Sequence, residues 1–562
     1  MNAEQSFCLS KRKIGILMLI VSLFCSTMNT ANAETVRAYN PLKEAVGPGN
    51  LIQYVVEDGS VERNGYLAIA PPAVTNPGET RLNAWKWCTS LSDPTCNPSN
   101  YPKNLKATSI LPPCDGGVAQ NCIEGIEFNF GEKFENAELI RITKGLTFAA
   151  EPKFNFLGSS NISLWQVKDR NNQNVNLNFA AMGRLQSYFI NGKFRIGEFF
   201  ADITPFEVAE DPKYSALKLN PDPLASPENR YVGHRFGQVC VFEEDGICGV
   251  AKDFPNNVRI RMKLRLSNEV GGWFRGRISD PKLVVTEYSE TSNLISLEAD
   301  PVRVSRMALQ MKLDSLNAAE QLRFENMGRW PTEDRGTGSG PQAGIPKDAF
   351  PFIEEYRERV KDRTAGSNTY WNISTTSWGK GSSCLEDTSK VLGIVSTNAL
   401  AYDGSSPSFD GESLLYKVSG LHFQEDGLTP VYGSYDLLIR SETARCLYNF
   451  SKAPISATVQ VFGENGTSLA TTSMSEKDNW VKLSAKGFTF SQVSIKVKLT
   501  QVSPIVPKTN TDSRPGSVQG TATANLMKQT ITCIKGKTIR KISGFAPKCP
   551  VGFKKKTFAS KN

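Results

Sequence analysis

Histidine is almost missing from this chain of 562 residues, in which only His234 and His422 occur. A Ser–His–Asp or Cys–His site needs a histidine beside its nucleophile. Neither context, YVGHRFG or GLHFQED, resembles a nucleophile or metal-ligand motif, and the G-x-S-x-G, H-E-x-x-H and P-loop patterns do not occur. We therefore assign no catalytic residue, no metal site and no cofactor from the sequence.

Long apolar runs are also scarce, and the most apolar one lies near the start of the chain. Three cations at Lys11–Lys13 precede the apolar segment Ile14–Phe24, and the small-x-small sequence Ala31–Ala33 follows it. The apolar segment is shorter than the roughly 20 residues that span a bilayer. This order is typical of a cleaved secretory signal, so we predict a signal peptide at residues 1–33 and a secreted protein.

Acidic residues are missing from the C-terminal end of the chain. Ten Lys and Arg but no Asp or Glu lie between Met527 and Asn562, so the formal net charge of +9 hides a nearly neutral body. A nucleic-acid-binding protein carries its basic surface on the fold itself. We therefore expect no nucleic-acid partner for this protein.

The cysteines lack the C-x2-C spacing that is typical of zinc sites. Ten of the twelve cysteines follow the predicted signal, and they fall into neighbouring pairs, which suits disulfides in an oxidising compartment. The expected disulfides are Cys88/Cys96, Cys114/Cys122, Cys240/Cys248, Cys384/Cys446 and Cys533/Cys549. A zinc site is the weaker alternative.

Helical patterns are few, and strand patterns dominate. Short apolar runs such as Leu51–Glu57 and Val391–Thr397 recur between Gly, Pro and Asn clusters, which is typical of sandwiches and barrels. Two stripes favour helices: one runs from Leu309 to Met327, and one from Phe352 to Val360 opens at Pro351. We predict a mainly β fold, with two or more β-sandwich-like domains and a few helices between them.

Composition divides the chain into six segments. A Gly-rich stretch near residue 340 and a Pro-, Thr- and Ser-rich stretch after residue 501 favour linkers. The predicted segments are the signal peptide 1–33, an N-terminal β-rich domain 34–300 with up to two subdomains, a helix and Gly-rich linker 301–345, a C-terminal β-rich domain 346–501, a disordered linker 502–526, and a basic two-Cys tail 527–562.

A candidate binding surface lies at Val258–Leu266, VRIRMKLRL. Side chains alternate between the faces of a strand, so the apolar residues would face the core and the cations would line the other face. The candidate binding residues are Arg259, Arg261, Lys263 and Arg265, followed by Trp273, Arg275 and Arg277. Such a basic and aromatic strip could hold a polyanion or an acidic glycan. The alternative is a solvated face whose cations pair with acidic residues on the neighbouring strand.

Catalysis by a pair of carboxylates would need no histidine. The available acids are Glu124 with Glu127, and the run Glu243–Asp245 between Cys240 and Cys248. The run has the composition of a hairpin turn, which explains it without catalysis.

The tail is a more specific feature, because its lysines surround two cysteines that could close a small β-hairpin. Cations near an anionic surface each contribute up to about 1 kcal/mol, and several together would retain a secreted protein at a wall polymer or membrane surface. The residues assigned to envelope retention are Lys535, Lys537, Arg540, Lys541, Lys548, Lys554, Lys555 and Lys556.

Several of these segments resemble exported actinobacterial cell-envelope proteins that end in a Lys-rich, two-cysteine tail. The resemblance rests on the tail pattern T-C-x-K-G-K…P-K-C-P-x-G-[FY]-K-K-K and on segments of the body. The body segments are Leu111–Cys114 with Cys122–Glu124, Trp273–Arg277 (WFRGR), and Tyr435–Arg440 with Ala444–Tyr448. It implies the envelope of a high-GC Gram-positive bacterium, and it brings no catalytic residue with it.

These observations favour a non-enzymatic, exported envelope protein whose body binds a wall polymer, a glycan or a protein partner. The tail would add binding to an anionic cell-wall polymer or membrane surface. Two alternatives stay open, a wall-acting carbohydrate hydrolase that uses two carboxylates and an assembly factor for surface structures.

Overall fold

The structure is a computed structural model, and it describes only part of the chain. The described residues are 51–56, 63–70, 86–114, 120–169, 175–210, 214–220, 231–232, 240–312, 317–319, 322, 343–376, 382–452, 454–463, 466–467, 470–490, 493–501, 529–535, 538–544, 549 and 553–555. The predicted signal peptide 1–33, the linker 502–526 and His234 lie outside them.

Strands make up most of the described chain, so the fold is mainly β, as predicted. The strands are β1 (Leu51–Val56), β2 (Tyr66–Ile69), β3 (Lys86–Trp87), β4 (Leu105–Ile110), β5 (Cys122–Asn129), β6 (Phe134–Asn136), β7 (Glu138–Ile142), β8 (Ser163–Asp169), β9 (Val175–Ile190), β10 (Lys193–Glu210), β11 (Lys218–Leu219), β12 (Tyr231–Val232), β13 (Cys240–Glu244), β14 (Ile247–Ala251), β15 (Arg259–Ser267), β16 (Gly272–Ser289), β17 (Ser292–Ser305), β18 (Met307–Lys312), β19 (Ser367–Thr376), β20 (Val391–Thr397), β21 (Ala401–Tyr402), β22 (Ser408–Phe409), β23 (Leu414–Ser419), β24 (Tyr432–Arg440), β25 (Ile455–Gly463), β26 (Gly466–Thr467), β27 (Thr471–Lys477), β28 (Trp480–Thr489), β29 (Val493–Gln501), β30 (Gln529–Lys535), β31 (Thr538–Gly544) and β32 (Lys554–Lys555).

Two α-helices with described bounds accompany the strands, α1 (Pro346–Tyr356) and α2 (Ser441–Tyr448). Helix α1 matches the second predicted stripe, although it starts at Pro346 rather than Pro351, and it buries Phe352 and Tyr356. The first predicted stripe is wrong at its start, because Leu309 lies in β18, which pairs with β1. Tertiary pairing with a distant strand outweighs a local helical period there.

Three sheets form layers, which we name by position. The central sheet follows the order β7–β8–β9–β10–β19–β16–β20–β24–β28–β27. The front sheet is β6–β5–β15–β17 with the second half of β16, and the back sheet is β21–β23–β29–β25–β26. Strand β16 belongs to two layers, because its register shifts between Ser279 and Lys282 and the strand continues into the front sheet.

The central sheet carries a separate core on each face. Adjacent residues of one strand divide between them: Phe274 packs with the front sheet, and Trp273 packs with the back sheet. Strand β20 is buried at all seven positions, since a strand covered on both faces reads as a continuous apolar run. Strands on both sides of the predicted 301–345 linker hydrogen-bond to each other, β16 with β19 and β20.

Four of the five predicted disulfides are confirmed, and all four stabilise the sheets of the body. The bonded pairs are Cys88–Cys96, Cys114–Cys122, Cys240–Cys248 and Cys384–Cys446. The short-range Cys240–Cys248 pair joins the hairpin β13–β14, and Cys384–Cys446 ties a loop to helix α2 across 62 residues. Cys549 is also disulfide-bonded, and the side chain of Cys533 lies outside the described part.

The chain forms two compact units, Met1–Ser503 and Pro504–Asn562. The described part of the second unit is a three-stranded antiparallel sheet in which β30 lies between β31 and β32. No helix among the described residues is long and apolar enough to cross a membrane.

Candidate functional site

Strand β15, which we call the cation strand, has the alternation that the sequence predicts. Ile260, Met262, Leu264 and Leu266 are fully buried in the core under the front sheet. The four intervening cations are half-buried on the opposite face. The apolar positions decide which way the strand faces, because a shift by one residue would bury all four charges.

Each cation on this face is ion-paired with a carboxylate of a neighbouring strand. Arg261 lies opposite Glu127 of β5 and Glu298 of β17, and its guanidinium bonds both, at 2.5 Å and 2.8 Å. The remaining pairs are Arg259 with Glu298 at 2.6 Å, Asp300 at 2.8 Å and Asp280 at 3.2 Å, Lys263 with Glu127, Arg265 with Glu124, and Lys282 with Glu298 at 2.9 Å. The structure therefore shows the alternative interpretation of this face, in which the cations pair with acidic residues. Most of these acids lie on the two neighbouring strands, β5 and β17.

The pairing stabilises the charged state of Glu298 and Glu127. Burial raises the pKa of Glu298, but hydrogen bonds from Arg259, Arg261 and Lys282 outweigh it and lower that pKa to about 2. The pKa of Glu127 is also lowered, because its bonds to Lys263 and Arg261 exceed the opposing effect of burial. These carboxylates are ionised at neutral pH, so a bound polyanion would compete with them for the same cations.

Two aromatic rings lie over the cation strand, and sequence reasoning missed both. Phe134 of β6 lies over the Arg261 guanidinium at 3.8 Å from the ring centroid, and Tyr288 of β16 lies over that of Arg265 at 4.4 Å. Phe134 comes from a strand more than 120 residues earlier in the chain, and Tyr288 comes from the far end of the strand that follows β15. The aromatic residues expected here, in the segment Trp273–Arg277, lie in another part of the fold.

Trp273, Arg275 and Arg277 do not join the cation strand. Trp273 is buried in the core under the back sheet, with 1% of its surface exposed. Arg277 is buried too and donates to the carbonyl oxygens of Thr397 and Ala399, beneath the ring of Tyr402. Arg275 donates to Ser374 Oγ and to the carbonyl oxygen of Gly404. These cations position loops between strands of the central and back sheets.

Four of the carboxylates considered for catalysis, Glu124, Glu127, Glu244 and Asp245, are likewise held by cations. Glu244 accepts two bonds from Arg141 and one from the backbone N–H of Lys144, which lower its pKa against the effect of burial. Asp245 bonds Lys218, and this bond lowers its pKa. A general acid needs a raised pKa, and Glu127, Glu244 and Asp245 all have lowered ones.

A small polar cleft beside hairpin β13–β14 is lined in part by Arg63, Lys144, Asn161 and Glu243. Its cavity volume of about 20 Å³ has room for a water molecule and not for a sugar ring. The cleft therefore gives the carbohydrate-hydrolase alternative no substrate site.

His422 lies in a local hydrogen-bonded contact with Asp362. Its Nδ1 is 2.5 Å from Asp362 Oδ2, and its backbone N–H donates to the same carboxylate. Arg357 Nη1 approaches Nδ1 at 3.1 Å. The contact joins the turn after α1 to the loop before β24. Among the described residues, no group of three or more His, Cys, Asp or Glu is placed to hold a metal ion.

The tail residues divide between described and undescribed positions. Lys535 ends β30, Arg540 and Lys541 lie in β31, and β32 consists of Lys554 and Lys555. The register places Arg540 and Lys555 on either side of Cys533. Lys537, Lys548 and Lys556 lie outside the described residues.

The chain matches no protein family model, no curated protein and no solved structure at a significant level. The actinobacterial resemblance of the sequence therefore stays a prediction.

Proposed function

We propose that this protein is exported to the cell envelope, where its C-terminal tail retains it at an anionic surface and its body binds a partner without catalysis. One observation carries the proposal: the four cations of the cation strand are ion-paired, whereas the sequence of the tail has ten cations and no acid of its own. By sequence, the tail therefore has cations in excess to offer an anionic polymer.

Export is supported by chemistry as well as by the signal-like N-terminus. Four disulfides hold the first unit, and disulfides form and persist in oxidising compartments outside the cytosol. Positive charge on a small separate unit suits attachment to phosphate-rich polymers, because each cation near an anionic surface contributes up to about 1 kcal/mol.

Cell fractionation in a bacterium with an anionic cell wall tests retention. We expect a chain that ends at Leu526 to appear in the medium, while the full chain stays with the envelope and is released by high salt. Equal retention of both chains would rule the tail out as the attachment.

A charge-matched pair of full-length variants separates charge from length. One variant replaces Lys554, Lys555 and Lys556 with Gln, and the control replaces the exposed body residues Lys103, Lys193 and Lys477 with Gln. Both variants lose three positive charges, and only the tail variant should shift towards the medium. An equal shift in both would mean that net charge, and not the tail, sets retention.

A further inference from the structure

The outer face of the front sheet presents two aromatic rings on a row of fixed polar groups. Phe134 and Tyr288 each stack on an arginine of the cation strand, so one ring face meets a guanidinium. Tyr288 keeps 47% of its surface exposed, and Val284 of the same edge keeps 57%. The face thus combines exposed apolar surface with charged groups that already have partners.

The two stacks follow one line. Their arginines, Arg261 and Arg265, are four residues apart on the same face of one strand, which is about 14 Å at about 3.4 Å per residue. Lys263 lies between them, with 35% of its side chain exposed. A row of this length fits a linear polymer that lies along β15 better than it fits a single small molecule.

Charge decides the class of polymer. The ion pairs on this face join six cations to five carboxylates, so the paired charges nearly cancel. The cations are Arg259, Arg261, Lys263, Arg265, Lys282 and Lys482, and the carboxylates are Glu124, Glu127, Glu298, Asp300 and Asp280. A polyanion would face nearly as many negative charges as positive ones. An uncharged polymer meets no such opposition, and it gains donors and acceptors that are already fixed in place.

We propose that this face binds an uncharged glycan chain, with Phe134 and Tyr288 as the stacking residues. The proposal deepens the proposed function, since it rests on the body having a binding partner and names that partner's class. Sugar rings present C–H faces that pack on electron-rich aromatic faces, and their hydroxyls both donate and accept. The paired arginines and carboxylates supply both kinds of hydrogen-bonding group along the line between the rings.

Affinity electrophoresis through native gels tests the proposal with the full chain. The gels contain hydroxyethyl cellulose, galactomannan or arabinogalactan as uncharged polymers, or heparin as the anionic comparison. We expect retardation by at least one uncharged polymer, unchanged by 0.5 M NaCl because the polymer carries no charge. The double variant Phe134→Ala/Tyr288→Ala should bind that polymer about tenfold more weakly.

The control variant is Tyr101→Ala, which removes a ring that is 76% exposed outside this face. It should be retarded like the unaltered chain, and all three proteins should unfold in a single cooperative urea transition, with a lower midpoint for the double variant because it loses two ring–guanidinium contacts. No retardation by any uncharged polymer would overturn the proposal, as would retardation by heparin alone or an unchanged double variant. A full-length chain with Gln at the tail cations should be retarded as before, so this result and the fractionation result are independent.

Discussion

The cation strand and the C-terminal tail both place cations close together, yet their charges have different surroundings. The cation strand carries four in nine residues, and each reaches a carboxylate on β5, β16 or β17. The tail carries ten between Met527 and Asn562 with no acid among them. The density of positive charge along a chain therefore does not identify a polyanion site, because strands far away in sequence can neutralise it.

The largest effect is expected from replacing Glu298, the carboxylate that several cations of this face share, because its loss takes one partner from each of them. Glu298→Gln leaves Arg259, Arg261 and Lys282 without their common partner in a half-buried setting. We expect a loss of about 2–3 kcal/mol in the free energy of unfolding, below the roughly 3–5 kcal/mol of a fully buried pair. Urea denaturation measures it. Glu287→Gln, an exposed acid on β16, is the matched control, and equal losses in both would contradict the argument.

The second largest effect is expected from acid, which should weaken the ion pairs of the cation strand and leave the side-chain charge of the tail unchanged. Glu298 has a pKa of about 2 in the folded protein, against 4.5 for the free side chain. A lowered folded-state pKa means that the stabilisation is complete above about pH 4.5 and is lost as the pH falls towards 2. The urea midpoint should drop between pH 5 and pH 3, and less so for Glu298→Gln. The tail has no carboxyl side chain between Met527 and Asn562, so the charge of its side chains should not change in this range.

High salt should affect the tail and spare the cation strand, which is the reverse of the effect expected for acid. At 1 M ionic strength the screening length is about 3 Å, against about 10 Å at 0.1 M. We expect 1 M NaCl to release the full chain from envelope preparations, while the urea midpoint of the body shifts little because contact pairs on the cation strand are screened less. Retention that survives 1 M NaCl would point to a non-electrostatic attachment.

The smallest effect is expected at Lys263, the most exposed side chain among the four cations of the strand. Lys263→Gln removes one partner of Glu127, and Arg261 still holds that carboxylate. We expect a loss of about 0.5 kcal/mol, as for exposed pairs, and an unchanged elution from a heparin column. The tail variant with Gln at Lys554, Lys555 and Lys556 should elute earlier, and an earlier elution of Lys263→Gln would show that the body also contacts polyanions.

Local sequence patterns predicted where strands lie better than they predicted which strands pair with each other. The run Val391–Thr397 became β20 with its bounds unchanged, and Leu51–Glu57 became β1, which ends at Val56. The stripe from Leu309 is wrong at its start because β18 pairs with β1, more than 250 residues away in the chain, although residues 318, 319 and 322 of the stripe are helical. A helical period is a local property, and strand pairing at that distance leaves no trace in the neighbouring residues.

The same contrast holds for the candidate site, where the local alternation was predicted and the long-range partners were not. The alternation of Arg259–Ser267 was legible, because apolar side chains at every second position require one buried face. The partners Glu127 and Glu298 were not, and neither were the rings of Phe134 and Tyr288. The signal that could have indicated them is charge pairing between strands, and it becomes usable only when the order and register of the strands are known.

The amino-acid sequence was enough to establish a mainly β chain, four disulfide pairs, the inward face of the cation strand and the separation of a basic tail from a neutral body. These depend on residue type and on spacing between near neighbours. Only the tertiary structure decided that Trp273 is buried between sheets, that the central sheet carries two cores, and that the cations of β15 are paired. Those outcomes depend on which strands meet and in what register, and that is settled by the packing of side chains far apart in the chain.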